Sequence, residues 1–92
     1  MIRSFRHRGL RRLFERGDRS QLRADMLDKV ENILLVLNRA VTPSDMDLPG
    51  FRLHSLRGNR AGQWAVTVKA NWRIVWRFDA GDAVDVDLVD YH

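Results

Sequence analysis

Residues 62–92, GQWAVTVKANWRIVWRFDAGDAVDVDLVDYH, alternate apolar and polar side chains through three consecutive runs. Trp64, Val66 and Val68 alternate with Gln63, Ala65, Thr67 and Lys69. Trp72, Ile74, Trp76 and Phe78 alternate with Arg73, Val75 and Arg77, and Val84, Val86 and Leu88 with Asp85 and Asp87. Period two in β-branched and aromatic residues is the pattern of half-buried antiparallel strands. All three runs place their apolar residues at even positions, so they share one buried face only if facing residues match in parity. The first connection is therefore expected to have odd length, Lys69-Ala70-Asn71, with Asn71 in the left-handed turn position that Asn tolerates. The same reasoning makes residues 79–83 the second turn, with Gly81 supplying flexibility. This register sets Arg77 opposite Asp85, and Arg73 opposite Val89 and beside Thr67. The open sheet face is then charged, and Tyr91-His92 reaches it or its rim.

Upstream, residues 1–5 offer Ile2 and Phe5 as buried side chains of a short edge or inner strand. Residues 7–16 place Leu10, Leu13 and Phe14 at helical spacing, with Gly17 positioned as the C-terminal cap. Arg8, Arg11, Arg12 and Arg16 fall off that stripe and give the helix a cationic outer face. Ser20 is positioned to cap a second helix over residues 21–40. There Leu22, Met26, Val30, Ile33 and Leu37 recur at three and four, widened by Leu27 and Leu34, which is a core stripe. Residues 42–50 hold both prolines and Gly50 and read as a loop. Phe51, Leu53 and Leu56 follow in a short segment that begins as a turn and ends as a strand. Residues 57–62, RGNRAG, form a basic, glycine-rich loop into the sheet. The order β-α-α-β-β-β defines an α+β domain, with two N-terminal helices packed on one face of a curved antiparallel sheet. The other sheet face and the loop at 57–62 stay open to a ligand.

At 92 residues the chain is one domain, residues 1–92, with a small core that a firm partner would support. It has no cysteine, so there is no disulfide framework or thiolate chemistry, which fits a cytoplasmic protein. No apolar run approaches the ~20 residues that span a bilayer, and no signal-peptide pattern is present, so no membrane is expected. The formal charge is +4, with fourteen Arg against two Lys. Residues 1–23 carry eight Arg against Glu15 and Asp18, whereas residues 79–92 carry five Asp and no base. Arg supplies fixed bidentate donors suited to phosphate, and its clustering away from countercharge points to a polyanionic partner. The competing reading is a solvated surface from a genome that prefers Arg.

No zinc spacing, P-loop, GxSxG or HExxH motif occurs, so no metal site is expected. His54, Arg57, Arg60, Arg73, Arg77, Asp90, Tyr91 and His92 converge on the sheet instead. Such a set suits cleavage of RNA by its own 2′-hydroxyl, which needs a base, cations for the crowded phosphate and an acid for the 5′-oxygen. It needs no metal, cofactor or nucleophilic side chain. Each residue has a plainer alternative: a frayed end for His92, a structural histidine for His54, an ion pair with Asp85 or Asp87 for Arg73, and end packing for Tyr91. The three tryptophans lie on the core face and are expected to pack rather than stack on bases.

The stretches IRSFRHRGL at 2–10, LHSLRG at 53–58, GQWAVTVKANWRI at 62–74 and DYH at 90–92 resemble HigB-type toxins. These belong to the RelE/ParE superfamily of bacterial toxin–antitoxin modules, and the resemblance runs end to end. It implies a compact β-α-α-β fold and a ribosome-dependent endonuclease that cuts mRNA in the A site of the small subunit. It also implies a helix-turn-helix antitoxin of the HigA type, through which alone the toxin meets operator DNA. By position, it makes Arg73 a phosphate-stabilising residue and His92 a general acid or base, with Asp90, Tyr91 and His54 in the same site. Where the relatives carry Lys this chain has Arg57, which keeps the charge but cannot release a proton near neutrality, so an electrostatic role is expected there. Two other classes stay open: a ParE-like poison of DNA gyrase, and a binding module of the same fold without catalysis. Neither needs a converging acid–base set.

Overall fold

The computed structural model describes residues 1–91. Helices α1 (Arg8–Arg16) and α2 (Leu27–Arg39) precede strands β1 (His54–Ser55), β2 (Trp64–Lys69), β3 (Trp72–Asp79) and β4 (Asp82–Asp90). The strands form one antiparallel sheet in the order β1-β2-β3-β4. Both helices contribute to the main core on one sheet face, as expected. Leu10, Leu13, Val30, Ile33, Leu34 and Leu37 meet Val66, Ile74, Trp76, Val86 and Leu88 there. Trp76 is fully buried, with Phe78 edge-on at 6.0 Å. Removing a side chain of that size from water contributes roughly 4–6 kcal/mol before entropy is counted. Trp64 and Trp72 are half-buried against the same core, which bears out their packing role.

The helix ends have local causes. His7 caps α1, its Nδ1 accepting from the Leu10 N–H at 3.1 Å, and Gly17 closes it at φ +69°. Residues 21–40 do not form one helix. The apolar stripe starts in a turn and a 3-10 segment (Ala24–Met26), and α2 begins only at Leu27. Ser20 caps nothing, because its N–H and hydroxyl both donate to Asp18 Oδ1. These two bonds hold the Asp18 carboxyl below the usual carboxylate range. The loop after α2 contains a 3-10 turn, Pro43–Met46, closed by a capping box of Thr42 and Asp45.

The strand faces follow the alternation, but the turns differ from expectation. Lys69 pairs directly with Trp72 across a two-residue turn, and the odd residue sits inside β2 as a bulge at Val68. Ala70 rather than Asn71 takes the positive φ, at +50°. The second turn is Ala80-Gly81, both left-handed, between the paired Asp79 and Asp82. Its compensating bulge lies at Asp85-Val86, opposite Trp76. That bulge reverses the alternation, so Ala83 faces the core beside Phe78 while Val84 turns to the opposite face across from Arg77. A hairpin that keeps a tight turn must put its parity correction in a strand.

Residues 1–6 run parallel to β4, through bridges at Ile2–Ala83 and Phe5–Val86. Ser4 Oγ accepts the Asp85 N–H at 2.9 Å, satisfying a donor at the bulge. This segment covers the β4 edge, which would otherwise offer unpaired backbone groups.

Candidate active site on the open sheet face

Cross-strand partners share a face, so the register maps the open side of the sheet. One row runs Thr67–Arg73–Val89, and the next runs His54–Ala65–Val75–Asp87. Arg77 lies beyond, opposite Val84. This face is not uniformly charged. Leu56, Ala65 and Val75 form a second buried cluster upon it, with Val89 packed alongside. Ala65 and Val75 occupy positions where strict alternation would put polar residues, and that interruption was the available sign of the cluster.

Arg73 and Arg77 differ in their partners. The Arg77 guanidinium bonds Asp85 Oδ2 at 2.5 Å, which raises its pKa above the usual arginine value. Asp85 reaches it although the backbone pairs Arg77 with Val84, because the bulge swings Asp85 out at φ +55°. Arg73 Nη1 instead donates to the carbonyls of Ala70 at 2.6 Å and Trp72 at 3.2 Å. Among the described residues it makes no ion pair with Asp85 or Asp87. Two carbonyls orient the guanidinium without cancelling its charge. The role of the Ala70 carbonyl depends on the left-handed turn and could not be read from residue types.

His54 is exposed at the β1 edge, and its Nδ1 lies 2.9 Å from the Arg52 carbonyl. A carbonyl only accepts, so Nδ1 donates, and the neutral ring keeps its lone pair on Nε2. Arg57 is exposed without an ion pair among the described residues, and Arg60 donates to Gln63 Oε1 at 3.2 Å. Both belong to the loop leaving β1, past the Arg77 end of the sheet. Tyr91 extends β4 at the other end, its N–H donating to the Asn71 carbonyl at 2.7 Å, and is exposed. Asp90 pairs with Trp72 and so projects to the other side of the strand from Arg73. The structure thus brings Arg73, His54 and Tyr91 to one face and sets the loop arginines at its far end. His92 lies outside the described residues. Arg8, Arg11 and Arg16 are exposed on α1 and Arg12 is half-buried. Among the described residues, no group of three or more His, Asp or Glu side chains is placed to hold a metal ion, and no helix is long and apolar enough to cross a membrane.

Two helices on one side of an antiparallel sheet fit the RelE-like toxin class, and residues 3–92 match the model of the RelE-like toxin of type II toxin-antitoxin system HigB. The chain belongs to this HigB-like toxin family, and membership implies an antitoxin as partner. It is 40% identical over 92 residues to the Endoribonuclease HigB of Proteus vulgaris, an alignment covering all of both chains.

Proposed function

We propose that this chain is a ribosome-dependent endoribonuclease that cuts mRNA in the A site and so arrests translation in the cytoplasm. The observation that carries this reading is Arg73, a guanidinium oriented by two backbone carbonyls and left without a carboxylate among the described residues. A scissile phosphate supplies the missing charge. The relative's name, Endoribonuclease HigB, supports the same chemistry.

In this reaction the 2′-oxygen attacks the adjacent phosphorus and the bond from phosphorus to the 5′-oxygen breaks. The products are a 2′,3′-cyclic phosphate and a free 5′-hydroxyl. Arg73 stabilises charge on the non-bridging oxygens, where a preorganised donor is most effective. Arg57 and Arg60 add positive potential. His92, Tyr91 and His54 form the set from which one group takes the 2′-proton and another protonates the leaving oxygen, with His92 committed to one of those roles and Asp90 adjoining them from the other side of the strand. No metal or cofactor enters. Arg8, Arg11, Arg12 and Arg16 on α1 grip RNA of the ribosome, whereas Arg77 joins them only when it leaves Asp85, and a cavity of about 190 Å³ lined by Phe5, Arg6, His7, Arg8 and Arg11 begins the α1 surface. An antitoxin of the HigA type neutralises the toxin and mediates any contact with operator DNA.

Primer extension on cellular mRNA after brief induction tests the proposal. New 5′ ends confined to translated frames are expected. Intact mRNA in cells whose growth has stopped would favour a non-nucleolytic toxin.

A further inference from the structure

We propose that Leu56 is a positioning residue, whose side chain seated on Ala65 and Val75 fixes where the loop carrying Arg57 leaves the end of the open sheet face. The inference rests on the nuclease reading above and concerns how its cations are held in place. Leu56 is buried, while His54, Ser55, Arg57, Gly58 and Asn59 around it are all exposed. Among the described residues it is the only buried side chain of the segment 54–59. It contributes nothing to the core beneath the helices, because its cluster lies on the opposite side of the sheet.

The seat is shaped for it. Ala65 and Val75 are paired across β2 and β3 and are 0% and 2% exposed. A small residue beside a branched one leaves a depression that a leucine fills, whereas a larger residue at 65 would lift it. The Leu56 N–H donates to the Gln63 carbonyl at 2.9 Å, closing the base of the loop. Val75 also lies two residues from Arg73 on the same face of β3, so the seat of Leu56 and the oriented guanidinium share one rigid strand. Shortening Leu56 leaves the loop charges present but free to wander. A displacement of about 1 Å at a site built on positioned charge can cost ~10²-fold in rate.

Single-turnover cleavage of mRNA on programmed ribosomes, alongside ribosome binding and thermal melting, tests this. For Leu56→Ala the cleavage step should slow by about 10–100-fold while half-saturation shifts by less than about threefold. Leu56→Met, which refills the seat, should return the rate to within about threefold of wild type. If Leu56→Ala does not melt cooperatively, Leu56→Val takes its place, with an expected loss of roughly 3–10-fold. A shortened variant that is folded and cleaves like wild type overturns the proposal. So does a loss of binding equal to the loss of rate that Met fails to rescue, since that is the mark of a merely structural residue. Wild-type protein that does not cleave at all would remove the nuclease reading itself, an outcome distinct from either.

Discussion

The two ends of β3 carry the same side chain under opposite conditions. At the Arg77 end, carboxylates abound: Asp85 takes Arg77, and Asp79 and Asp82 take Arg3. At the Arg73 end, backbone carbonyls do the holding and no carboxylate among the described residues answers the charge. A cation with a partner in the folded chain is part of the surface. One held by carbonyls, with no ion pair among the described residues, is available to an anion from outside the chain. The contrast separates surface charge from a candidate site more sharply than the count of arginines.

The largest effect should come from His92, whose assignment rests on the family resemblance. Deleting it should slow cleavage by about 10²–10⁴-fold, the range for a lost acid–base group. Ribosome and antitoxin binding should stay near wild type, and a rate within about threefold of wild type on programmed ribosomes would return His92 to a frayed end. Arg73→Ala comes next, with an expected loss of about 10²–10³-fold, or ~3–4 kcal/mol of transition-state stabilisation. Its melting curve should lie close to wild type, because among the described residues only two hydrogen bonds to backbone carbonyls are lost and no ion pair is broken. Toxicity as rapid as wild type would show that the orientation of Arg73 serves no phosphate.

A smaller change probes the other end of the strand. Asp85→Asn suits the left-handed backbone and releases Arg77, so log Kd for ribosomes should steepen against log salt by about one unit. Neutralising Arg8 and Arg11 should make the same slope shallower by about two units. An unchanged slope for Asp85→Asn would mean that Arg77 already behaves as a free cation and that the two ends are alike.

The smallest effect is on stability in acid. Asp25 accepts from Lys69 Nζ at 3.0 Å and from Arg23, tying β2 to the entry of α2, and these bonds hold its carboxyl below the usual aspartate value of 3.8. A depressed folded pKa adds stability above the unfolded value and loses it as pH falls through the folded one. Asp25→Asn should therefore melt slightly below wild type at pH 7, with the gap closing below about pH 4. A gap that does not narrow at all between about pH 5 and pH 3 would assign the difference to packing.

Much of the fold was legible in the sequence. Period-two runs located β2, β3 and β4, and Gly17 marked the end of α1. What stayed hidden was where the chain corrects its parity. Alternation says which face a residue prefers but not whether an extra residue sits in a turn or a strand, so Val84 was placed on the wrong face. The start of α2 was hidden for a related reason, since Leu22 and Met26 continue the stripe whether or not the backbone before Leu27 is helical. Arg73 was legible as a polar-face residue beside Thr67, whereas its carbonyl clamp was not, because the clamp is made by backbone at a turn. Leu56 looked irregular because its seat lies on the face that alternation reserves for polar groups.

The strip formed by residues 1–6 beside β4 has a consequence for the order of events during synthesis. Ser4 and Asp85 are 81 residues apart, yet their bond joins the segment made early to the strand made late. Contacts of such separation close large loops and form slowly. The helices and the first hairpin can assemble while the chain is still being made, but the edge of β4 cannot be covered until β4 itself has emerged. Tyr91, on the open face, follows that strand. A nascent chain of this toxin therefore carries its helical scaffold before the open sheet face is complete.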